Sequence, residues 1–446
     1  MTAITATAPT DLVDAVSKRR RTTELGLLLL AFIVTGGLYA LASLGRNASL
    51  PADVGPFLAG VVTLVLVAHL VVRRVASAAD GLLLPLAALL NGIGYVFIAR
   101  LNDDLAALQA TWTAVAIAAF VATLVVVRDV KKLRSYPYTF GLIGLGLLLL
   151  PLLPGIGRNI NGARIWVEIG PVSFQPGEFA KIALAIFFAG YLVENRELLG
   201  VATFKLGPFR IPDPRHFVPV LAAWGVALVV MIFQRDLGSA LLFFVLFVVM
   251  LWVATGRAAY LVAGGGLFAL GAWFSWSQFS HVQTRVQVWL DPWADPSGSG
   301  YQIIQAAYAL AWGGTTGTGP GLGISGRIPF EETDFIFAII AEELGLAGST
   351  AVLCAYLLMA GTGLRIAQRS TDEFLSLLAV GLTTLLGVQA FIIIAGVTRV
   401  LPLTGITLPF VSYGGSSLLA NYVLLALLMR ISDRAERRVA RPAVAP

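Results

Sequence analysis

Charge is scarce in this chain. Only 13% of its 446 residues are Asp, Glu, Lys or Arg, against about 25% in an ordinary soluble domain. With 57% hydrophobic residues and a mean hydropathy of +0.83, the shortage excludes a water-soluble globule and leaves a membrane protein. Cysteine is nearly absent: Cys354 stands alone, so no intramolecular disulfide can form. Three scattered histidines (His69, His216 and His281) beside one cysteine exclude an ordinary zinc site. No internal repeat of roughly 20–50 residues is visible, which argues against a solenoid. No inverted pair of Gly- or Pro-broken helices occupies matching positions, which argues against a transporter. The net charge of +6 would suggest nucleic acid in a soluble chain; here topology accounts for it, and no nucleic-acid partner is expected.

What the chain has in abundance is apolar helix. A membrane-spanning helix needs roughly 20 apolar residues. Twelve segments qualify, at 23–44, 54–75, 81–100, 107–128, 137–154, 176–194, 217–234, 238–255, 258–277, 335–363, 374–399 and 410–431. The weakest are the short 137–154 and the 217–255 pair, split only by Arg235-Asp236. The expected fold is therefore all-α, a polytopic membrane protein of about 12 spans. With the N-terminus in the cytoplasm, most of the 31 Lys and Arg fall inside, at 18–21, 73–74, 128–134, 196–215, 257, 365–369 and 430–441. The positive-inside rule thus places both ends in the cytoplasm and the loop 278–334 outside. A cleaved secretory leader ending near Ala40-Leu41-Ala42 is the rival reading of the start, but the apolar part exceeds the roughly 7–15 residues of such a leader.

Polar sequence is concentrated in a few places, and these are the candidates for chemistry. From Arg285 to Asp334 runs a Gly- and Pro-rich stretch with Asp291, Asp295, Glu331, Glu332 and Asp334, two arginines and three tryptophans. Disordered linkers seldom carry such aromatic surface, so a folded cap is expected. Within it, Pro296, Gly298 and Gly300 form a turn that holds the Asp295 carboxylate away from regular structure. A carboxylate beside an apolar cavity can have a raised pKa, which suits a general base. A turn-forming role alone is the plainer reading for Asp291 and Asp295. The run Gly321-x-Gly323-x-x-Gly326 imitates a dinucleotide fingerprint but follows no strand, and is discarded as a nucleotide site.

In the loop before the sixth span, Pro176 suits a first helical turn, with Glu178 placed to complement the helix dipole. Lys181 lies three residues on, on the same face. A lysine one turn into apolar sequence needs a partner or a wet cavity. It either pairs with Glu178 structurally or faces a phosphate- or sugar-bearing ligand, with Arg164 and Trp166 beside it. Arg235-Asp236 reads as a tight turn. Glu342 and Glu343, adjacent inside a span, each need a partner or water. The segment 401–417, LPLTGITLPFVSYGGSS, opens the last helix with serines, Ser412 and Ser416 among them, that can donate hydrogen bonds.

At these residues the chain resembles the SEDS family (RodA, FtsW and their sporulation relatives), membrane glycosyltransferases that polymerise peptidoglycan from lipid II. The matching segments are NGARIW with FQPGEFAK, QRDLGSA, DPWADPSGSGYQIIQA, ETDFIFAIIAEELGLAG and LPLTGITLPFVSYGGSS, in the family's order across residues 81–431. The resemblance implies that Asp295 is the essential loop aspartate, acting as general base or holding a divalent cation (Mg or Mn). It also implies that Glu178 and Lys181 after Gln175, Asp236, Asp334 and Glu343 belong to the supporting motifs. Lys181 and an arginine could offset the charge of a departing pyrophosphate; that role is chemical inference. The chain departs from the family's pattern at Arg235 (usually proline), Ile165 (commonly arginine), Ile393 and Arg399 (frequently asparagine and glycine) and Glu332 (usually histidine). Most members have ten spans, so the pair at 23–75 is extra.

The expected division is a cytoplasmic tail (1–22), the extra helix pair (23–75), the family core (76–432) containing the outside loop, and a second cytoplasmic tail (433–446). The expected function is polymerisation of lipid II into β-1,4 glycan with release of undecaprenyl pyrophosphate. It would serve wall elongation and shape more than division, beside a class B penicillin-binding transpeptidase. The alternatives are a lipid II flippase, which has no need of a catalytic carboxylate outside, and a non-catalytic scaffold for the transpeptidase, which would tolerate changes at Asp295.

Overall fold

The computed structural model describes residues 9–49, 54–160, 162–170, 172–200, 204–206, 209–211, 218–324 and 326–439. Asn161, Arg215, His216 and Arg441 lie outside the described residues, as do the outermost parts of both expected tails. The chain opens with α1 (Pro9–Asn47) and α2 (Val54–Val75), followed by α3 (Leu83–Leu101), α4 (Asp103–Val126) and α5 (Pro137–Leu149). A three-stranded antiparallel sheet of β1 (Gly157–Ile160), β2 (Ala163–Ile169) and β3 (Val172–Phe174) leads into α6 (Gly177–Glu194). The short α7 (Arg196–Gly200) and the hairpin β4 (Phe204–Leu206) with β5 (Phe209–Ile211) precede α8 (Val218–Gln234), α9 (Leu237–Thr255) and α10 (Ala259–Gln278). Then come α11 (Ser280–Leu290), α12 (Tyr301–Gly313), α13 (Ile336–Arg369), α14 (Glu373–Val397) and α15 (Gly415–Val439).

Among the described residues nine helices are long and apolar enough to cross a membrane: α1, α2, α3, α4, α9, α10, α13, α14 and α15. The expected twelve exceed that number. The other three segments are helical where expected, but α5 and α8 are short, and α6 carries Glu178, Lys181 and Glu194. Both expected tails are partly helix, since α1 begins at Pro9 and α15 continues to Val439. The small sheets lie in loops and leave the all-α architecture intact.

Helix starts follow their local chemistry. Asn102 accepts from the amides of Asp104 and Leu105 at the head of α4, and Asp372 from those of Phe374 and Leu375 at the head of α14. Helices approach closely where a side chain is missing: Gly141 and Gly144 bring α5 onto Phe187 and Leu184 of α6. Helices α3, α14 and α15 are buried over most of their length, whereas α10 leaves almost its whole surface exposed. Between α1 and α2, Glu24 pairs with Arg21 and, at 2.7 Å, with His69 Nδ1, and all three side chains are buried. Buried charge in a span has to be neutralised in this way.

The polar stretch after α10 is folded, as expected, and half of it is helical. Helix α11, a short 3₁₀ turn at Pro292–Ala294 and α12 form a cap, and the glycine-rich segment 314–335 returns the chain to α13. That helix kinks at Gly345 (φ 64°), where the backbone of Thr315–Gly317 leaves no room for a side chain.

Candidate active site

The segment 398–414 between α14 and α15 joins two polar clusters. The first sits at the head of α6. Lys181 Nζ lies 2.7 Å from Glu178 Oε2 and donates to Gln389 Oε1 of α14 at 2.7 Å, and all three side chains are buried. Gln389 Nε2 in turn donates to the Thr407 carbonyl at 2.8 Å. The Gln175 amide donates to Ser416 Oγ at 3.0 Å, so the start of α6 is fixed to the start of α15. Asp236 caps α9 by accepting from the Ser239 amide at 2.9 Å. Burial, and the negative charge of Glu178 nearby, raise its pKa, against the opposing influence of Ser239 and Lys181. Glu178 and Lys181 thus form the expected pair, with a third partner that sequence reasoning missed: Gln389, an isolated amide in an apolar helix.

The second cluster lies under the cap. A cavity of about 270 Å³ is lined by Arg285, Trp289, Ser299, Gln302, Asp334 and Arg399, among others. Arg285 of α11 donates to the carbonyls of Thr404 (2.9 Å) and Leu403 (3.4 Å) and faces both Asp334 and Asp236. Asp334 is half-buried, and its carboxyl is raised to about 6: burial dominates, Arg285 and Thr333 oppose it, and Glu332 adds to it. Arg399 Nη2 donates to the carbonyls of Trp289 (3.0 Å) and Leu290 (3.3 Å), and Trp289 Nε1 donates back to the Arg399 carbonyl at 3.0 Å. This reciprocal latch holds α11 against the end of α14.

Asp295 sits beside this cavity, linked to it through Ser299. Its Oδ1 accepts from the Gly298 amide at 3.1 Å, and its Oδ2 from the Ser299 amide at 2.7 Å and the Ser299 hydroxyl at 3.0 Å. A Cβ at Gly298 would overlap the carboxylate, which is why the turn needs glycine there. The expected raised pKa is not found. The Ser299 amide and hydroxyl and the Gly298 amide hold the fully exposed carboxyl below the usual range, because all three stabilise the charged form. The carboxyl that lines the cavity itself, Asp334, is raised instead. Asp291 accepts from the Trp293 amide at 3.1 Å and forms a turn.

Three of the remaining candidates, Ser412, Glu342 and Glu343, make contacts that hold loops in place. Ser412 Oγ accepts from the Leu408 amide at 2.9 Å and donates to the Thr333 carbonyl at 2.5 Å, tying the 398–414 segment to the end of the cap. Glu343 lies 2.6 Å from Arg100 of α3 and accepts from the Gly321 amide at 2.7 Å, while Glu342 accepts from the Ile324 amide at 3.0 Å. The two glutamates hold the glycine-rich segment. Arg164 and Trp166 stand on β2, half-buried, and no hydrogen bond or ion pair among the described residues joins them to Glu178 or Lys181. Among the described residues no three His, Cys, Asp or Glu side chains gather into a metal-binding group. The single carboxylate of Asp295, with three hydrogen bonds already accepted, fits a cation only if phosphate oxygens of a ligand complete its shell.

Among the described residues five non-glycine residues have positive φ, and three of them surround these clusters: Arg235 (59°), Phe330 (60°) and Arg399 (60°). Such conformations cost on the order of 1–3 kcal/mol and collect at functional sites. Arg235 holds a φ that proline cannot adopt, so the turn before Asp236 is shaped by its departure from the resemblance. At Arg399 glycine would be relaxed, and the arginine replaces that freedom with the latch on α11.

Fold and site together define a multi-pass membrane protein with a polar, carboxylate-bearing centre beneath a folded cap. The sequence model described as "Cell cycle protein" for FtsW, RodA and SpoVE matches residues 82–437. The chain belongs to this family. It is 44% identical to the peptidoglycan glycosyltransferase RodA of Mycobacterium tuberculosis over 94% of this chain and 92% of that protein. It is 43% identical to the RodA of Mycobacterium leprae over 93% and 91%, and 38% identical to stage V sporulation protein E of Bacillus subtilis over 64% and 76%. Among solved structures, one from a peptidoglycan synthase complex that coordinates polymerization and crosslinking superposes with a TM-score of 0.65 at 28% identity, covering 80% of this chain and 98% of that one. The crystal structure of the Thermus thermophilus rod shape determining protein RodA gives 0.57 at 26%, covering 80% and 97%.

Proposed function

We propose that this chain is a peptidoglycan glycosyltransferase that polymerises lipid II into β-1,4 glycan for cell-wall elongation and shape. The sugar 4-hydroxyl of one lipid-linked disaccharide attacks the anomeric carbon of another. A C–O bond forms there, the bond to undecaprenyl pyrophosphate breaks, and the hydroxyl proton passes to a carboxylate. The observation that carries this reading is the pairing of an ionised, exposed carboxylate, Asp295, with a cavity that also holds Asp334 and Arg285. Asp295 positions the acceptor hydroxyl, or holds a divalent cation (Mg or Mn) that would neutralise pyrophosphate charge. Asp334, titrating near 6, is the better-matched proton acceptor at neutral pH. Arg285 and Lys181 offset the charge of the departing pyrophosphate.

The partner in this reading is a class B penicillin-binding transpeptidase. It is supported by the likeness to a complex that couples polymerization to crosslinking. The chain lies in the plasma membrane with both termini cytoplasmic and the cap outside. The pair α1–α2 is an addition to a core that begins near residue 82, with short tails at either end.

The test is polymerisation of purified lipid II, with the transpeptidase present, by wild type and Asp295→Asn. The amide keeps size, and its one oxygen can keep both Ser299 hydrogen bonds while that from Gly298 is lost, so folding should survive. A loss of roughly a hundredfold or more is expected, as for removal of a charged group at a reacting centre. Equal glycan from both proteins would move the chemistry to Asp334. Transport of lipid II without polymerisation by wild type would overturn the enzyme reading.

A further inference from the structure

On the face opposite the cap, the ends of α4 and α15 and the start of α14 enclose a cleft of about 450 Å³. It is lined by Arg128, Arg430, Arg434, Arg437 and Arg438, with only Asp129 and Asp433 among them to oppose five positive charges. Both carboxylates are committed. Asp129 pairs with Arg434 and also accepts from the Lys131 amide at 3.0 Å. Asp433 lies 2.8 Å from Arg437 and accepts from the Ala78 amide at 2.8 Å.

Among the described residues that leaves three arginines without a carboxylate in hydrogen-bonding contact. Arg430 is buried, and its guanidinium donates only to backbone carbonyls: Nε to Leu124 at 2.9 Å, Nη1 to Val75 at 2.6 Å, and Nη2 again to Leu124. Carbonyls satisfy its donors, and the one carboxylate acting on its charge, Asp433, is already paired with Arg437, so the charge is only partly offset, an arrangement that favours an anion in the cleft. Arg438 donates to the Thr371 hydroxyl at 2.8 Å, and Arg128 is exposed at the rim. The positive-inside rule accounts for arginines on this face, but it requires neither a cleft nor a buried guanidinium.

We infer that this cleft binds the phosphate headgroup of an anionic phospholipid. The shared chemistry is a phosphate whose negative charge is not cancelled by a cation in the same headgroup. Two features favour a lipid over a soluble phosphate. The cleft opens where α4 leaves the membrane, and Val125 and Val126, on that last turn beside Arg128, are exposed apolar residues along which an acyl chain can lie. Basic pockets between spans at the cytoplasmic surface are suited to such headgroups. A lipid held there would clamp α4, α14 and α15 together at the ends opposite the site.

The test is native mass spectrometry of the delipidated full chain in detergent, titrated with cardiolipin, phosphatidylglycerol, phosphatidylcholine or glycerol phosphate. Binding in detergent does not depend on the chain's orientation in a cell. The anionic lipids should bind preferentially. The double variant Arg128→Gln/Arg438→Gln should weaken them about thirtyfold, from the contribution of two surface cations. The variant Arg73→Gln/Arg74→Gln removes the same charge from exposed positions outside the cleft and should bind as wild type does. Equal weakening in both variants would reduce the effect to diffuse surface charge. Equal binding of phosphatidylcholine would remove the anionic requirement. Displacement of the lipid by glycerol phosphate would make the ligand a soluble phosphate. Any of the three overturns the inference.

Discussion

A carboxylate that already accepts three hydrogen bonds, as Asp295 does, has little tendency to take up a proton; one pressed into a half-buried site beside a like charge, as Asp334 is, takes one up readily. The two residues therefore make different predictions about pH. If proton transfer depends on Asp334, polymerisation should rise as pH passes through about 6, the value at which it ionises. Glu332→Gln removes a group that raises Asp334 and should shift the limb to lower pH, and Arg285→Gln should shift it higher. A rate independent of pH between 5 and 8 would exclude Asp334 and leave Asp295, ionised throughout. Stability provides a second check. Because the folded carboxyl lies above its reference value of 3.8, its contribution is fully present below pH 4 and is lost as pH rises through 6. Asp334→Asn should accordingly raise Tm at pH 8 and leave it nearly unchanged at pH 4. None of this was readable from sequence. The spacing of DPSGSG shows that a turn holds Asp295, but not that it donates three hydrogen bonds to the carboxylate, and Arg285 and Gly405, which line the cavity with Asp334, are both distant in the chain.

At the scale of elements, the glycine-rich segment shows most clearly what sequence could and could not say. Its glycines, spaced like a dinucleotide fingerprint, have a steric use that depends on distant partners. Gly317 lies against the Glu343 carbonyl, Gly321 against the Ala42 carbonyl of α1, and Gly45 of α1 against the Pro320 carbonyl. The first helix, which precedes the residues matched by the family's model, is therefore packed on the segment that Glu342 and Glu343 hold and that leads to Asp334. A side chain at Gly45 would meet backbone that cannot rotate away. Gly45→Leu should cost on the order of 1–3 kcal/mol and lower polymerisation several-fold. Gly37→Leu, on the same helix but with nothing within 4 Å, should alter neither. Thermal melting and lipid II polymerisation on the two variants measure this. Equal activity in Gly45→Leu and wild type would show that α1 does not support the site.

For the molecule as a whole, helix positions were legible because runs of apolar residues bounded by Gly, Pro and charge mark them regardless of tertiary packing. The five motifs in order pointed to the family for the same reason, each being local. Gln389, Arg285 and the latch at Arg399 were not legible, since their roles exist only once α6, α11, α14 and the 398–414 segment meet. The number of crossings stands between these cases, and parity can decide it. If α5, α6 and α8 cross along with the nine long helices, both termini share one side. If none of the three crosses, the termini lie on opposite sides. The same arithmetic applies to the exposed residues Ser49, after α1, Ser135, before α5, and Ser297, in the cap. Single cysteines at these positions in a Cys354→Ser background should separate the two topologies with a membrane-impermeant maleimide on intact cells. With all three short helices crossing, Ser49→Cys and Ser297→Cys label from outside, and Ser135→Cys labels only after permeabilisation. With none crossing, the positions 49 and 297 would label from opposite sides, and the cap with Asp295 would face the cytoplasm. A lipid II polymerase builds glycan outside the cell, so that second pattern would sink the orientation and the proposed function together.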